Sequence, residues 1–132
     1  GLTVEDARQV FAMAIKRGNA QVIEALWKMG LTVEDARDDD NFALQHACIN
    51  GNVPMIQILR KMGITLEDAR CHAYAPLRLA MERQYESVIL ELKDMGITRM
   101  DAKVANDHAK KQDLYTGKKF TTQLLVSTFW PK

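Results

Sequence analysis

Apolar residues recur along this chain in paired segments, and within each segment they are spaced three or four residues apart. Leu44, Ala47 and Cys48 show this spacing in one segment, and Met55 to Leu59 show it in the next. Such spacing places apolar side chains on one face of a helix. The first segments are Val10–Ile15, Ala43–Cys48 and Pro76–Met81, and the second segments are Val22–Leu26, Met55–Leu59 and Val88–Leu92. The pattern therefore predicts an all-α protein built from helix pairs.

The helix pairs follow one another with a period of 33 residues. The motif GLTVEDAR at Gly30–Arg37 returns as Gly63–Arg70 and, in altered form, as Gly96–Lys103, and an earlier copy stands at Gly1–Arg8. A fixed period of this length is typical of stacked repeat arrays. We therefore expect one domain spanning residues 1–132, with units at about 1–29, 30–62, 63–95 and 96–132. Because the chain opens inside a repeat, we interpret it as a fragment of a longer array.

Three columns of equivalent residues indicate how the units pack. The small column of Ala14, Ala47 and Ala80 suits close contact between helices, and the column of Leu26, Leu59 and Leu92 suits a repeated core position. The methionines that precede each closing glycine are also expected to fill the core, because thioethers adapt to irregular gaps. These are Met29, Met62 and Met95.

The residues between helices carry turn and capping signals. A Gly-Asn pair at Gly18 and again at Gly51 predicts a helix end followed by a turn. Thr32, Thr65 and Thr98 each precede an aspartate by three residues, which is a short capping arrangement. We therefore predict a helical turn at 33–37 and at 66–70, followed by variable connectors at 38–41 and 71–74. An irregular loop built on a threonine turn remains the alternative.

With the columns aligned, the units resemble ankyrin repeats. Ala75–Met81 is similar to the opening of that family's first helix, and Asn50–Gly63 is similar to its turn, second helix and closing glycine. The resemblance implies a helical solenoid of about three repeats plus a degenerate C-terminal cap, and it implies a protein that binds other proteins. The chain departs from the family pattern at Gln45 and Arg78, where a histidine usually braces the turn, and at Gln84, which replaces the turn glycine.

The Thr-x-x-Asp-Ala-Arg insert is the largest departure from the family. It stands in place of the usual β-hairpin tip, so we expect that region to be largely helical. In this respect the chain loosely resembles the divergent ankyrin arrays of large DNA viruses.

The two ends differ from the inner units. The first unit lacks four residues between Arg8 and its first helix, so that helix is expected to start directly from Thr3. In the last unit Lys110 and Asp113 fall in columns that are apolar elsewhere. Because the end of a solenoid needs a polar outer face, we expect a C-terminal cap. The alternative is an extended or β segment over Phe120–Trp130, which is rich in threonine, valine and aromatic residues.

The distribution of charge is uneven along the chain, and the number of cysteines bears on the cellular compartment. The net charge is +1, but residues 99–132 hold 7 of the 18 lysines and arginines and only 3 of the 17 carboxylates. The two cysteines do not suggest a disulfide scaffold, so we expect a cytoplasmic or other reducing intracellular compartment. Cys48 lies in a core column, whereas Cys71 lies on a connector, where a reactive thiol is one interpretation.

No convergent set of acid, base or nucleophile is visible, so we expect a non-enzymatic interaction module without a cofactor or metal site. A stacked array offers an extended surface, and we predict that connectors and first helices bind a partner protein. The candidate residues are Trp27, Arg37, Asp38, Asp39, Asp40, Gln45, His72, Tyr74 and Arg78. The alternative is a nucleic-acid-associated adaptor that uses the basic C-terminal end through Lys110, Lys111, Lys118 and Lys119.

Overall fold

The computed structural model describes residues 3–112 and 125–131, and within them the backbone is helical and contains no strand. The predicted all-α class is therefore confirmed for this part of the chain. Residues 125–129 are also helical. The seven longer helices are α1 (Val4–Arg17), α2 (Ala20–Lys28), α3 (Val33–Asn50), α4 (Val53–Met62), α5 (Leu66–Glu82), α6 (Glu86–Asp94) and α7 (Arg99–Gln112).

The helices form two layers. Helix α1 packs on α2, α3 on α4, and α5 on α6, so consecutive helices form the predicted pairs. Neighbouring pairs then contact through like helices: α1, α3, α5 and α7 follow one another in one layer, and α2, α4 and α6 follow one another in the other. None of the described helices combines the length and the hydrophobicity that a membrane span requires.

The core lies between the layers and between neighbouring pairs. Leu26, Leu59 and Leu92 are buried on three successive helices of the second layer, and the column of small residues, Ala14, Ala47 and Ala80, is buried in the first. The expectation that the methionine column fills the core fails at its first member. Met29 exposes 59% of its surface, whereas Met62 exposes 7%. Met29 follows α2 in the first pair, and the described residues include no earlier pair that covers it.

Helix α3 contains the predicted helical turn and connector as two distinct parts. Its axis breaks where Asp39, Asp40 and Asn41 adopt left-handed backbone angles, with φ between 52° and 60°. Aspartate and asparagine tolerate this conformation better than most residues because their short polar side chains form local hydrogen bonds. Helix α5 breaks in the same place, at His72 and Tyr74. The expected helical turns at 33–37 and 66–70 are therefore confirmed, and neither connector forms a β-hairpin.

The helix ends follow the capping signals. Thr3 caps α1, and the expected start at that residue is confirmed. Asn19 and Asn52 cap α2 and α4 by accepting the amide protons of Val22 and Met55 at 3.2 Å. The preceding turn residue is left-handed in all three pairs, with φ of 71° at Gly18, 67° at Gly51 and 58° at Gln84. The chain therefore keeps the turn geometry even where glutamine replaces glycine.

The C-terminal residues pack back on the last pair. Trp130 is buried, and its indole Nε1 donates a hydrogen bond to the carbonyl of Ile97 at 3.0 Å. Lys93 donates from Nζ to the carbonyl of Phe129 at 2.7 Å. The alternative of an extended or β segment is therefore wrong for residues 125–129, because they are helical. Residues 120–124 of that segment lie outside the described part of the chain.

Candidate interaction surface

An arginine at the end of each capping motif reaches the aspartate of the next motif. Arg8 Nε donates to Asp35 Oδ1 at 3.0 Å across the first boundary. Arg37 donates to both carboxylate oxygens of Asp68, at 2.9 and 3.2 Å, and Arg70 does the same to Asp101, at 3.0 and 3.1 Å. Bidentate pairs of this kind fix geometry as well as contribute energy. We call these three pairs the Arg-Asp ladder.

The same aspartates also cap their own helices. Asp68 and Asp101 each accept the backbone amide proton and the hydroxyl proton of the threonine three residues earlier, Thr65 or Thr98, at 2.8–3.2 Å. One carboxylate thus caps the N-terminus of its own helix and accepts an arginine from the preceding motif. This double use explains why the threonine, aspartate and arginine recur together.

Hydrogen bonding controls the ionisation of the two inner ladder carboxylates. Burial alone would raise the pKa of Asp101, but hydrogen bonds from Arg70, Thr98 and Tyr74 outweigh burial and hold the pKa far below its ordinary range. At Asp68 burial also opposes ionisation, and hydrogen bonds from Arg37, Thr65 and Asn41 likewise lower the pKa. Both carboxylates are therefore charged at neutral pH.

The left-handed connectors are attached to this ladder. Asn41 Nδ2 donates to Asp68 Oδ1 at 3.2 Å, and the Tyr74 hydroxyl, one repeat later, donates to Asp101 Oδ1 at 2.7 Å. Both residues have positive φ. The backbone conformation of each connector is therefore held by a side chain that reaches the next pair.

Two side chains of the first-layer helices brace the connectors from the other side. Gln45 Nε2 donates to the carbonyl of Asp40 at 2.6 Å, and Arg78 Nη2 donates to the carbonyl of His72 at 3.2 Å. His72 Nε2 lies 3.7 Å from Asp40 Oδ1, which brings the two connectors together. The connector surface, as we define it, consists of six of the predicted partner-binding residues: Asp38, Asp39, Asp40, Gln45, His72 and Arg78.

The other three predicted partner-binding residues have different surroundings. Arg37 is bound to Asp68 and to Glu34, and the hydroxyl of Tyr74 is bound to Asp101, so their polar groups serve the ladder. Trp27 is half-buried against the core on α2, in the second layer. The structure therefore does not place Trp27 with the connector surface.

The sequence interpretation missed the ladder. It assigned the aspartates to helix capping alone and did not pair them with the arginine of the preceding repeat. The signal was available, because Arg37 and Arg70 recur at the same 33-residue period as Asp68 and Asp101. A period shared by two opposite charges on neighbouring units is compatible with pairing across the boundary.

Other candidate chemistry is weak or lies outside the described residues. In the described part of the chain no group of three or more histidines, cysteines or carboxylates is arranged to hold a metal ion. Burial raises the pKa of the Cys48 thiol to about 12 and is the main factor raising the pKa of Cys71, which disfavours a reactive thiolate at either position. Lys118 and Lys119 lie outside the described residues, and so do the side chains of Lys110 and Lys111.

Comparison with known proteins gave no match to this chain among family models, curated proteins or solved structures.

Proposed function

We propose that this protein is an ankyrin-like repeat module that binds a partner protein through the connector surface. The observation that carries the proposal is a run of three exposed carboxylates, Asp38, Asp39 and Asp40, on a connector that hydrogen bonds hold at Asp40 and Asn41. Stacked helix pairs bury the core columns and leave the connectors to vary. Recognition by such a surface needs no enclosed pocket.

Pre-organisation supports a binding role. The Asp40 carbonyl is held by Gln45, and the neighbouring Asn41 is held by Asp68. A segment that is already fixed loses little conformational entropy when a partner docks, so more of the contact energy contributes to affinity. Strained backbone angles of this type often persist where the surrounding structure maintains them for a function.

The charge of the connector surface indicates what kind of contact face a partner would need. The three carboxylates are exposed, and the exposed side chain of His72 lies 3.7 Å from Asp40 Oδ1. A protein with lysines or arginines on its contact face would complement them. Such complementarity raises the association rate and fixes orientation.

A charge-neutral variant tests this surface. Replacement of Asp38, Asp39 and Asp40 by asparagine removes three charges while keeping residues that tolerate a left-handed backbone. The matched control replaces three exposed or half-exposed carboxylates elsewhere by glutamine, at Glu5, Glu24 and Glu86. Partners are identified by cross-linking the tagged wild-type protein in its native cell, and their affinities for the three proteins are then measured by titration.

We expect the connector variant to bind the cross-linked partner at least about tenfold more weakly, which corresponds to about 1.4 kcal/mol, and the control variant to bind as the wild type does. The melting temperatures of both variants should remain close to that of the wild type. Equal affinity of the connector variant and the control would exclude this surface as the partner-binding site. If the cross-linked partner is a nucleic acid whose affinity falls steeply with salt, the adaptor hypothesis based on the C-terminal lysines would replace the proposal.

A further inference from the structure

The outer side of the first helix pair exposes apolar side chains whose counterparts one repeat later are buried. Val10 on α1 is 38% exposed, whereas Ala43 at the equivalent place on α3 is 1% exposed. Met29 and Met62 differ in the same way. Two residues of α2 repeat the difference: Val22 is half-buried and Ala25 is exposed, whereas their equivalents on α4, Met55 and Ile58, are buried. In the inner pairs, the preceding helix pair covers these positions.

One carboxylate on the same side lacks the cation that its counterparts bind. Asp6 caps α1 by accepting the backbone amide proton of Thr3 at 3.1 Å, as the later aspartates cap their helices. Asp35, Asp68 and Asp101 each also accept an arginine from the preceding pair, but no arginine in the described residues reaches Asp6. In the described residues Asp6 therefore makes the capping contact of a ladder aspartate without the arginine contact.

The opposite end of the stack is closed. Residues 125–130 pack on the last pair through buried Val126 and Trp130. A second copy of this chain therefore cannot stack its last pair, α5 and α6, directly on the first pair without displacing α7 and that segment. Two copies meeting face to face would not reproduce the contact between successive motifs, in which an arginine of the preceding motif binds the aspartate of the next. These features argue against a second copy as the occupant.

We infer that the outer side of the first pair docks one further helix pair of the same repeat, whose capping motif ends in an arginine that binds Asp6. This N-terminal face consists of Asp6, Val10, Val22, Ala25 and Met29. It continues the interface that already joins the inner pairs, with the same apolar columns and the same ladder position. The docked pair covers the apolar side chains and supplies the guanidinium.

A fusion of known sequence tests this inference. A copy of residues 30–62 is placed directly before Gly1, so that its last residues lead into GLTVEDAR as Met62 leads into the same motif at Gly63. The copied Arg37 then stands 31 positions before Asp6, which is the separation of Arg37 from Asp68 and of Arg70 from Asp101. Matched variants carry Asp6→Asn in the fusion and in the parent chain, and Arg37→Ala in the added copy alone.

The readouts are urea unfolding and amide hydrogen exchange of α1 and α2. We expect the fusion to unfold in one transition at higher urea than the parent, with protection of α1 and α2 raised by about tenfold or more. Asp6→Asn should lower the fusion's midpoint more than the parent's, because the parent loses only a helix cap. Arg37→Ala in the added copy should lower the midpoint of the fusion to a similar extent.

Two results would overturn the inference. If the added pair stays unfolded or unfolds separately, with no change in the protection of α1 and α2, then the face does not dock a repeat. If the fusion is stabilised but Asp6→Asn has the same effect in both chains, then the arginine assignment is wrong. Neither result depends on the connector surface, so the proposed function is tested separately.

Discussion

At the scale of single residues, the Arg-Asp ladder shows how one side chain can serve two structural purposes. Asp101 caps α7 and also binds Arg70 from the preceding motif, and only 6% of its side chain is exposed. Asp35 has the same two roles, but its partner Arg8 is 55% exposed. Because solvent weakens exposed ion pairs much more than buried ones, the pairs should differ in their contribution to stability.

Replacing the arginine by alanine in the first and in the last pair of the ladder measures this difference. We expect Arg70→Ala to lower the free energy of unfolding clearly more than Arg8→Ala does, since it leaves a nearly buried carboxylate without its charged donor. Arg8→Ala should cost about 0–1 kcal/mol, as exposed pairs do. Urea unfolding of both variants at neutral pH provides the values. Equal costs would show that burial does not determine the strength of these pairs.

Acid unfolding follows from the same carboxylates. The folded-state pKa values of Asp68 and Asp101 lie below the ordinary value, so the unfolded chain binds more protons than the folded chain in acid. Their contribution to stability is complete above about pH 4 and declines as the pH falls towards the folded-state values. We expect Asp101→Asn to be less stable than the wild type at pH 7 and to lose less stability between pH 5 and 2.5. A decline as steep as that of the wild type would contradict this assignment.

At the scale of helices and turns, much of the structure could be predicted from the sequence. The helix pairs, the threonine caps and the start of α1 at Thr3 follow from periodicity and local capping chemistry. The left-handed turn at Asp39–Asn41 could not be derived in the same way. It depends on Asn41 reaching Asp68 and Gln45 reaching the carbonyl of Asp40, which are tertiary contacts.

The turn before α6 offers a test of backbone strain. Gln84 has a φ of 58° in a place where Gly18 and Gly51 stand in the other pairs. Because the left-handed region is unfavourable for a side chain with a Cβ, we expect Gln84→Gly to raise the free energy of unfolding by about 0.5–1 kcal/mol. The control is Arg83→Gly at the adjacent right-handed residue, which should lower the free energy of unfolding by up to about 1 kcal/mol. Thermal and urea unfolding measure both, and destabilisation by Gln84→Gly would refute the strain.

Helix α4 is central in the second layer, so its leucine should be costly to truncate. Leu59 is completely buried between neighbouring helices, and Leu59→Ala should lower the free energy of unfolding by about 2–5 kcal/mol. The matched control is Leu90→Ala on α6, where the leucine is 52% exposed. That change should stay within about 0.5 kcal/mol. Urea unfolding measures both changes, and a small loss of stability in Leu59→Ala would contradict the assigned helix register.

At the scale of the whole molecule, the repeat period predicted the order of packing but not the difference between its ends. Columns of alanine and leucine indicated which faces meet, and the structure places those columns in the core. The methionine column led to the incorrect expectation for Met29, because a column assumes a neighbour on each side. The return of Trp130 to Ile97 also depends on a contact between distant parts of the chain that periodicity does not encode.

The candidate site was predictable to a similar extent. Asp38, Asp39, Asp40 and His72 were identified because variable connectors interrupt a regular array, and the structure leaves them exposed. Arg37 and Tyr74 stood in the same connectors, but the structure shows their polar groups bound to inter-repeat carboxylates. A sequence pattern identifies which residues lie on a connector, whereas only tertiary contacts show which of their polar groups remain available.

The central claim is that successive helix pairs stack in order, and distances between equivalent positions test it most directly. Spin labels are placed at Glu24, Gln57 and Leu90, which occupy one column on α2, α4 and α6. The labelled chain carries Cys71→Ser, and the remaining Cys48 is buried. Since packed helices lie about 8–10 Å apart, the 24–57 pair should give about 10 Å and the 24–90 pair a narrow distribution near 20 Å. A 24–90 distance beyond about 35 Å, or one shorter than the 24–57 distance, would contradict stacking in this order.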